Sequence, residues 1–300
     1  MFPILPIRYI DPVYRPPSEA NSLILPLTDG CSWNRCIFCE MYTDPQKRFR
    51  ARDEKEVEEN LRQLGEMPAS AAIRRVFLAD GDALALPTRR LLAALTGIRR
   101  HLPNVRRISS YCLPRNLKKK SAEEMRELAE AGLALVYLGA ESGDDTVLQK
   151  IDKGETYQST VDALDKLGAA KIQRSVMILN GLGGICYSKD HAFNSARLAN
   201  ATQPEYLAVL TLSFPKGESR LKAAFPEWEM PDIQGLLIEM RHFVENLELS
   251  RTVFRSDHAS NWLSLRGTLG AEKARLLAEL DRAIAAPDSA PLRPAWARGL

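Results

Sequence analysis

"RRVFLADGDALALPTRRLLAALTGIRRHLPNVRRISSYC", residues 74–112, holds one complete unit of a fold. Its first seven residues, "RRVFLAD", are a short apolar run of strand type. The Asp80-Gly81-Asp82 turn stops that run. A helix then starts at Pro87, with Thr88 just inside it, and runs over 87–101. "VRRISSYC" (105–112) is a second strand. Two strands joined through a helix are parallel, and the crossover is right-handed.

The same alternation extends in both directions. Strand-like runs occur at "SLILPLT" (22–28), "LALVYLGAE" (133–141), "QRSVMILNG" (173–181) and "YLAVLTLS" (206–213). Helical patterns lie at 52–66, 121–131, 156–169 and 188–200. Ser121, with Glu124 three residues on, forms a capping box. Gly132 and Gly168 stand where helix ends take a left-handed residue. Six strand–helix units at this spacing predict an α/β protein with a parallel sheet. An open doubly wound sheet and a curved, incomplete barrel both satisfy the pattern. Beyond residue 213 the pattern changes to a loop rich in Pro and charge, a helix at 232–247, the segment "LSRTVFRSDHASNWLSLRG" and a helix at 271–285. The remaining tail reads as poorly ordered.

Composition sets the class. The chain has 300 residues, 45% hydrophobic and 26% charged, and a net charge of +3 from 41 basic and 38 acidic residues. Such a weak basic excess does not mark a nucleic-acid binder. No apolar run reaches the ~18 residues of a membrane span. "MFPILPIRYIDPVYRPP" lacks the basic start and long apolar core of a signal peptide. The five cysteines make no disulfide framework, so a reducing, cytoplasmic setting is expected.

Three of those cysteines crowd into "GCSWNRCIFCEMY", residues 30–42. Cys31, Cys36 and Cys39 follow the first strand, and residues past a strand's C-terminal end line the functional face of parallel α/β proteins. Structural zinc needs four protein ligands, and no second hook accompanies these three. His101, His191, His242 and His258 lie far along the chain. A catalytic zinc, a 4Fe–4S cube with one iron left open, and three packing thiols are the arrangements that remain.

The loop resembles the cluster loop of radical S-adenosylmethionine (SAM) enzymes, with one more residue between the first two cysteines than the usual CxxxCxxC. Phe38 fills the aromatic place before the last cysteine. The resemblance covers most of residues 20–220. "GAESGDDTVLQKIDKGET" is similar to the branch that includes methylthiotransferases and oxygen-independent coproporphyrinogen oxidase. It implies a partial (β/α)6 TIM-like barrel over residues 21–215, a short extension before it (1–20) and a C-terminal helical extension (216–300) covering the barrel mouth. It also implies a 4Fe–4S cluster on Cys31, Cys36 and Cys39. That cluster reductively cleaves SAM, and the 5′-deoxyadenosyl radical so formed abstracts hydrogen from a substrate.

By the same resemblance Gly81 and Asp82 hold the amino end of SAM, Glu141 the ribose and Lys153 the carboxylate. Gly181, in "ILNGLGG", and Leu212 lie at the adenine. Phe38, Ser110, Ser142, Arg174 and Asn180 complete the implied SAM-binding set. Taken as residues alone, Lys153 is equally a helix-end cation, Leu212 a core residue and Asp80-Gly81-Asp82 an ordinary turn.

Substrate contacts are expected from Tyr111 and Cys112, past the third strand, and from His258 in "RSDHASNW". That loop reads equally as an Asx-turn with a satisfied histidine. For Cys112 and Cys186 buried packing is the alternative. Lys118–Lys120 and the Arg-Arg pairs read as solvated faces. The expected partners are a small or medium-sized substrate and an electron donor such as flavodoxin or ferredoxin. A structural or electron-transfer iron–sulfur or zinc protein, and a tRNA-modifying enzyme of the same branch, are the competing functions.

Overall fold

The computed structural model describes residues 5–298. Two compact units interleave along the chain. The first takes the chain up to Asn34, then 39–138 and 165–173; the second takes 35–38, 139–164 and the chain from Arg174 onward.

The first unit contains β1 (Leu23–Pro26), β2 (Thr28–Asp29), β3 (Arg50–Ala51), α1 (Glu54–Glu66), β4 (Arg75–Ala79), α2 (Thr88–His101), β5 (Arg107–Cys112), α3 (Pro114–Lys118), α4 (Ala122–Glu130) and most of β6 (Leu133–Glu141). Strands β1, β4, β5 and β6 pair in that order and are all parallel, with Leu23 opposite Val76 and Val76 opposite Ile108. Val76, Phe77 and Leu78 are consecutive and all buried, the signature of a strand covered on both faces. Asp53 caps α1 by accepting from the Lys55 and Glu56 N–H groups. The Ser121–Glu124 capping box of α4 forms as read.

The second unit contains α5 (Asp145–Lys150), α6 (Tyr157–Ala169, whose last residues belong to the first unit), β7 (Gln173–Asn180), α7 (Gly184–Thr202), β8 (Tyr206–Thr211), α8 (Ser219–Ala224), α9 (Ile233–Glu245), β9 (Val253–Arg255), β10 (Arg266–Thr268) and α10 (Lys273–Ala285). Strands β7, β8 and β9 run parallel, and β10 returns antiparallel to β9. Helix α9 packs on α7, and α10 on α9. Residues 216–298 therefore build this unit together with β7 and β8.

The α/β class and all six strands of the sequence reading are present. Four local readings are corrected. Gly168 lies inside α6, and the left-handed residue after that helix is Lys171, at φ +60°. The tail through 298 docks: Arg293 donates to the Asn261 carbonyl at 3.0 Å, and Arg298 Nε donates to the Ser260 carbonyl at 3.0 Å while stacking on Trp262. Lys120 is buried, donating to the Leu86 carbonyl at 2.7 Å. Cys186 is exposed.

Candidate functional site

In the first unit, the β2–β3 pair closes the base of the cysteine loop. Asp29 on β2 receives Arg50 Nε at 2.6 Å and Arg52 Nη2 at 2.8 Å. Next to this base, the turn after β4 is tied to the start of the loop. Gly81 N–H donates to the Gly30 carbonyl at 3.1 Å. A methyl at Gly81 would sit 2.7 Å from that oxygen and 3.0 Å from Cys31 Cα, so only glycine allows the approach. Asp82 accepts the Ser32 N–H at 2.9 Å and the Asn116 amide at 3.2 Å, and also takes the Ser32 hydroxyl. Burial holds its carboxyl above the usual range despite these donors.

Burial also pushes the Cys31 thiol up, and the Asp82 charge adds to this. The backbone N–H groups of Asn34 and Trp33 point at the same sulfur and favour its thiolate. Arg115 lies over the Trp33 ring, 3.7 Å from its centre. Cys31, Cys36 and Cys39 are all half-buried. The half-buried Cys31 sulfur, with two N–H groups aimed at it, suits a thiolate ligand of an iron–sulfur cluster. Among the described residues no three His, Cys, Asp or Glu side chains gather tightly enough for a single metal ion.

Further along β5, Ser110 is fully buried, its hydroxyl on the Leu78 carbonyl at 3.2 Å. Tyr111 packs edge-on against Phe77, with ring centres 5.0 Å apart. Cys112 is a buried thiol donating to the Leu113 carbonyl at 3.1 Å.

In the second unit, Glu141 ends β6 at φ +66° and accepts Lys153 Nζ at 3.1 Å. A side chain at Gly139 would collide with that carboxylate, 2.1 Å from Oε1. Phe38 and Leu212 join one apolar cluster with Val147, Ile151, Leu182 and Trp228. Leu212 N–H donates to the Asn180 carbonyl at 3.0 Å, which fixes the end of β8 against the end of β7. Gly181 follows at φ +86°, and the Trp228 indole N–H is shared between the Gly181 and Leu182 carbonyls at 3.3 and 3.2 Å. Ser142 is fully buried against His191, 2.8 Å away.

Arg174 is a correction. It stands second in β7, at the end opposite Asn180, and its guanidinium is spent on Glu205 at 2.9 Å and the Thr202 and Gln203 carbonyls at 2.9 and 3.0 Å. It has no place at the strand's functional end. His258 accepts the Ser260 N–H on Nδ1 at 3.1 Å, beside the Ser260 hydroxyl at 2.9 Å, and its burial with Arg293 nearby lowers its pKa. Asn261 joins this loop to β8, through the Thr211 hydroxyl at 2.9 Å and the Val209 carbonyl at 2.7 Å.

The reading from sequence missed Lys47, Asn116, Trp228 and Glu239. Lys47, Asn116 and Trp228 sit in irregular or very short elements with no period to expose them. Glu239 had a signal: it lies three residues from Leu236 and four from Phe243, on the buried stripe of α9.

Residues 25–193 match the family model described as Radical SAM superfamily. Similar solved structures include coproporphyrinogen III oxidase (HemN) from Escherichia coli, at 14% identity and TM-score 0.55, over 75% of this chain and 52% of that one. Methylornithine synthase (PylB) is similar at 16% identity and TM-score 0.51, over 76% and 63%. The radical S-adenosylmethionine methyltransferase TsrM from Kitasatospora setae, with cobalamin and a [4Fe-4S] cluster bound, is similar at 19% identity and TM-score 0.50, over 63% and 36%. The chain thus spans less than two thirds of each of these proteins, and the likeness is one of fold. No curated protein sequence matches the chain.

Proposed function

Because the chain belongs to the radical SAM superfamily, we propose that Cys31, Cys36 and Cys39 hold a 4Fe–4S cluster and that the turns at the strand ends bind SAM. When bound, cluster and SAM together supply one-electron chemistry: reductive cleavage of SAM and hydrogen abstraction from the substrate by the 5′-deoxyadenosyl radical. The observation that carries the reading is the Gly81–Gly30 clamp with Asp82 on Ser32, which joins the turn after β4 to the chain beside Cys31.

The chain's own residues then do the rest. Gly81 and Asp82 bind the amino end of SAM. Glu141 accepts from the ribose hydroxyls, held in place by Lys153, whose cation also attracts the SAM carboxylate. Asn180, Gly181, Leu212 and Phe38 offer a backbone edge and an apolar wall to the adenine. The apolar cluster around Trp228 excludes water from this part of the site. Tyr111 and His258 contact a small or medium-sized substrate. A flavodoxin or ferredoxin supplies the electron in a reducing compartment such as the cytoplasm. Among the described residues no helix is long and apolar enough to cross a membrane.

The test is anaerobic reconstitution with iron and sulfide, then addition of SAM and dithionite. Release of 5′-deoxyadenosine is expected. An electron carrier would be reduced without cleaving SAM, and a zinc protein would take up no iron. His258→Ala is expected to retain iron and SAM binding and to lower turnover once a substrate is supplied. Loss of iron would give His258 a structural role instead.

A further inference from the structure

Glu239 lies in α9, outside the residues that match the family, and is 1% exposed. A carboxylate so deeply buried must be satisfied by donors. It accepts the Gly181 N–H on Oε1 at 2.6 Å and the Ser188 hydroxyl on Oε2 at 2.5 Å. The first of these bonds fixes the peptide leading into Gly181, at φ +86° in the turn after β7.

His191 Nε2 is 3.7 Å from the same carboxylate, too far for a hydrogen bond, and donates to the Leu179 carbonyl at 3.0 Å. Its Nδ1 therefore accepts the Ser142 hydroxyl, at 2.8 Å, and Ser142 Oγ in turn accepts the Asp144 N–H at 3.0 Å. His191 is fully buried and neutral, its pKa held down to about 4 by burial. Glu239 is thus bonded to the turn after β7, and His191 beside it ties Leu179 of β7 to Ser142 in the turn after β6.

We propose that Glu239 is a positioning residue for SAM: by fixing the Gly181 peptide it holds the turn after β7 in the shape that receives the adenosyl group, while His191 beside it ties the end of β7 to the turn after β6. The proposal rests on the reading that these turns bind SAM. Its charge state is the handle on it. Burial raises Glu239 to about 7, against the lowering effect of the Gly181 N–H and the Ser188 hydroxyl. The groups facing it are Ser188 and His191 from α7 and Gly181 N–H from the turn. Asn180 is turned to the Leu236 carbonyl. On α9 itself Arg241 is engaged by Glu245 and by Asp281 of α10, His242 is one turn on, and Lys189 and Asp190 of α7 are exposed. Above the pKa the carboxylate accepts both donors; below it the added proton competes with one of them.

The experiment is equilibrium dialysis of the anaerobically reconstituted full chain with SAM, and separately with methionine as a probe lacking the adenosyl group, over about pH 6 to 8, either side of the Glu239 pKa. Wild-type SAM affinity falls as pH drops through about 7. Glu239→Gln weakens SAM about tenfold above that pH, the scale of one hydrogen bond to a charged group, leaves methionine unchanged and flattens the profile. Ser188→Ala, a milder change, removes a donor that lowers the pKa and so moves the midpoint to higher pH. A Glu239→Gln protein with wild-type SAM affinity and pH profile, an equal loss for SAM and methionine, or an unmoved midpoint in Ser188→Ala overturns the proposal. Wild-type protein that holds its cluster and does not bind SAM overturns the reading beneath it.

Discussion

Lys47 Nζ lies 2.8 Å from Asp80 Oδ2, and both side chains are buried, at 1% and 6% exposure. Asp80 also accepts the Tyr42 hydroxyl and the Gly30 N–H, each at 3.3 Å. Position 80 directly follows β4, at the start of the turn. This chain carries an acid there and a buried cation to match it, so the pair ties the loop of the cysteines to the turn after β4.

Removing one partner of a buried pair strands the other charge. Lys47→Met is expected to lower the unfolding free energy by about 3–5 kcal/mol. In Lys47→Met/Asp80→Asn the stranded charge is gone, and the loss is smaller than in Lys47→Met alone. Urea unfolding of both proteins checks this; equal losses would contradict the pairing.

Glu141 separates stability from function at one position. Its φ of +66° is costly for any residue with a side chain, whereas its carboxylate is what the proposed ribose contact needs. In Glu141→Gly/Lys153→Met, where the strain is relieved and no buried charge is stranded, the protein is expected to be as stable as the parent or up to about 1 kcal/mol more so. It should also bind SAM about tenfold more weakly, since a charge-assisted contact is lost. Thermal unfolding and SAM titration on one preparation read both, and a variant that loses both together would assign Glu141 to the fold alone.

The elements legible in the sequence are those with a period. β4, β5, β6 and β7 announce themselves as apolar β-branched runs, and α4 as a capping box on an amphipathic stripe. The β2–β3 pair is two residues on each side, Thr28–Asp29 with Arg50–Ala51, and no pattern of that length exceeds noise. Asp144, which caps α5 through the Val147 N–H, stood inside a stretch whose motif drew the reading away from its helix. The site divides in the same way. Glycines at strand ends are visible because only they permit φ +86° at Gly181 or a 2.7 Å approach at Gly81. Buried charges such as Lys47 are invisible because their partners are 33 residues away in the chain. Arg174 was misread although it stands second in the run 173–181, at the N-terminal end of the strand and away from the end that lines the functional face.

The five cysteines divide into two classes by position. Cys31→Ala, Cys36→Ala and Cys39→Ala are each expected to abolish retention of iron and sulfide after anaerobic reconstitution, because three thiolates leave no ligand to spare. Cys112→Ala and Cys186→Ala are expected to retain both, Cys112 being buried on the Leu113 carbonyl and Cys186 exposed. Iron and acid-labile sulfide assays on desalted protein decide it; full iron content in any of the first three would remove that residue from the ligand set.

Glu239 and His191 push the pH dependence of stability in opposite directions. The Glu239 carboxyl is raised from 4.5 to about 7, so between those values the folded state holds a proton that the unfolded state has lost. Stability from this group falls as pH rises through that window. His191 is lowered from 6.5 to about 4, so between those values the unfolded state holds the extra proton. Its contribution to stability rises with pH through an almost coincident window. Each slope amounts to about 3 kcal/mol across its window, and in the wild-type protein the two largely cancel. In Glu239→Gln only the histidine slope remains, and stability is expected to climb by about that amount from pH 4 to 6.5. In His191→Gln only the carboxylate slope remains, and stability should fall from pH 4.5 to 7. Denaturant unfolding of the three proteins at matched ionic strength measures the slopes. Parallel profiles would mean that neither group changes its proton affinity on folding.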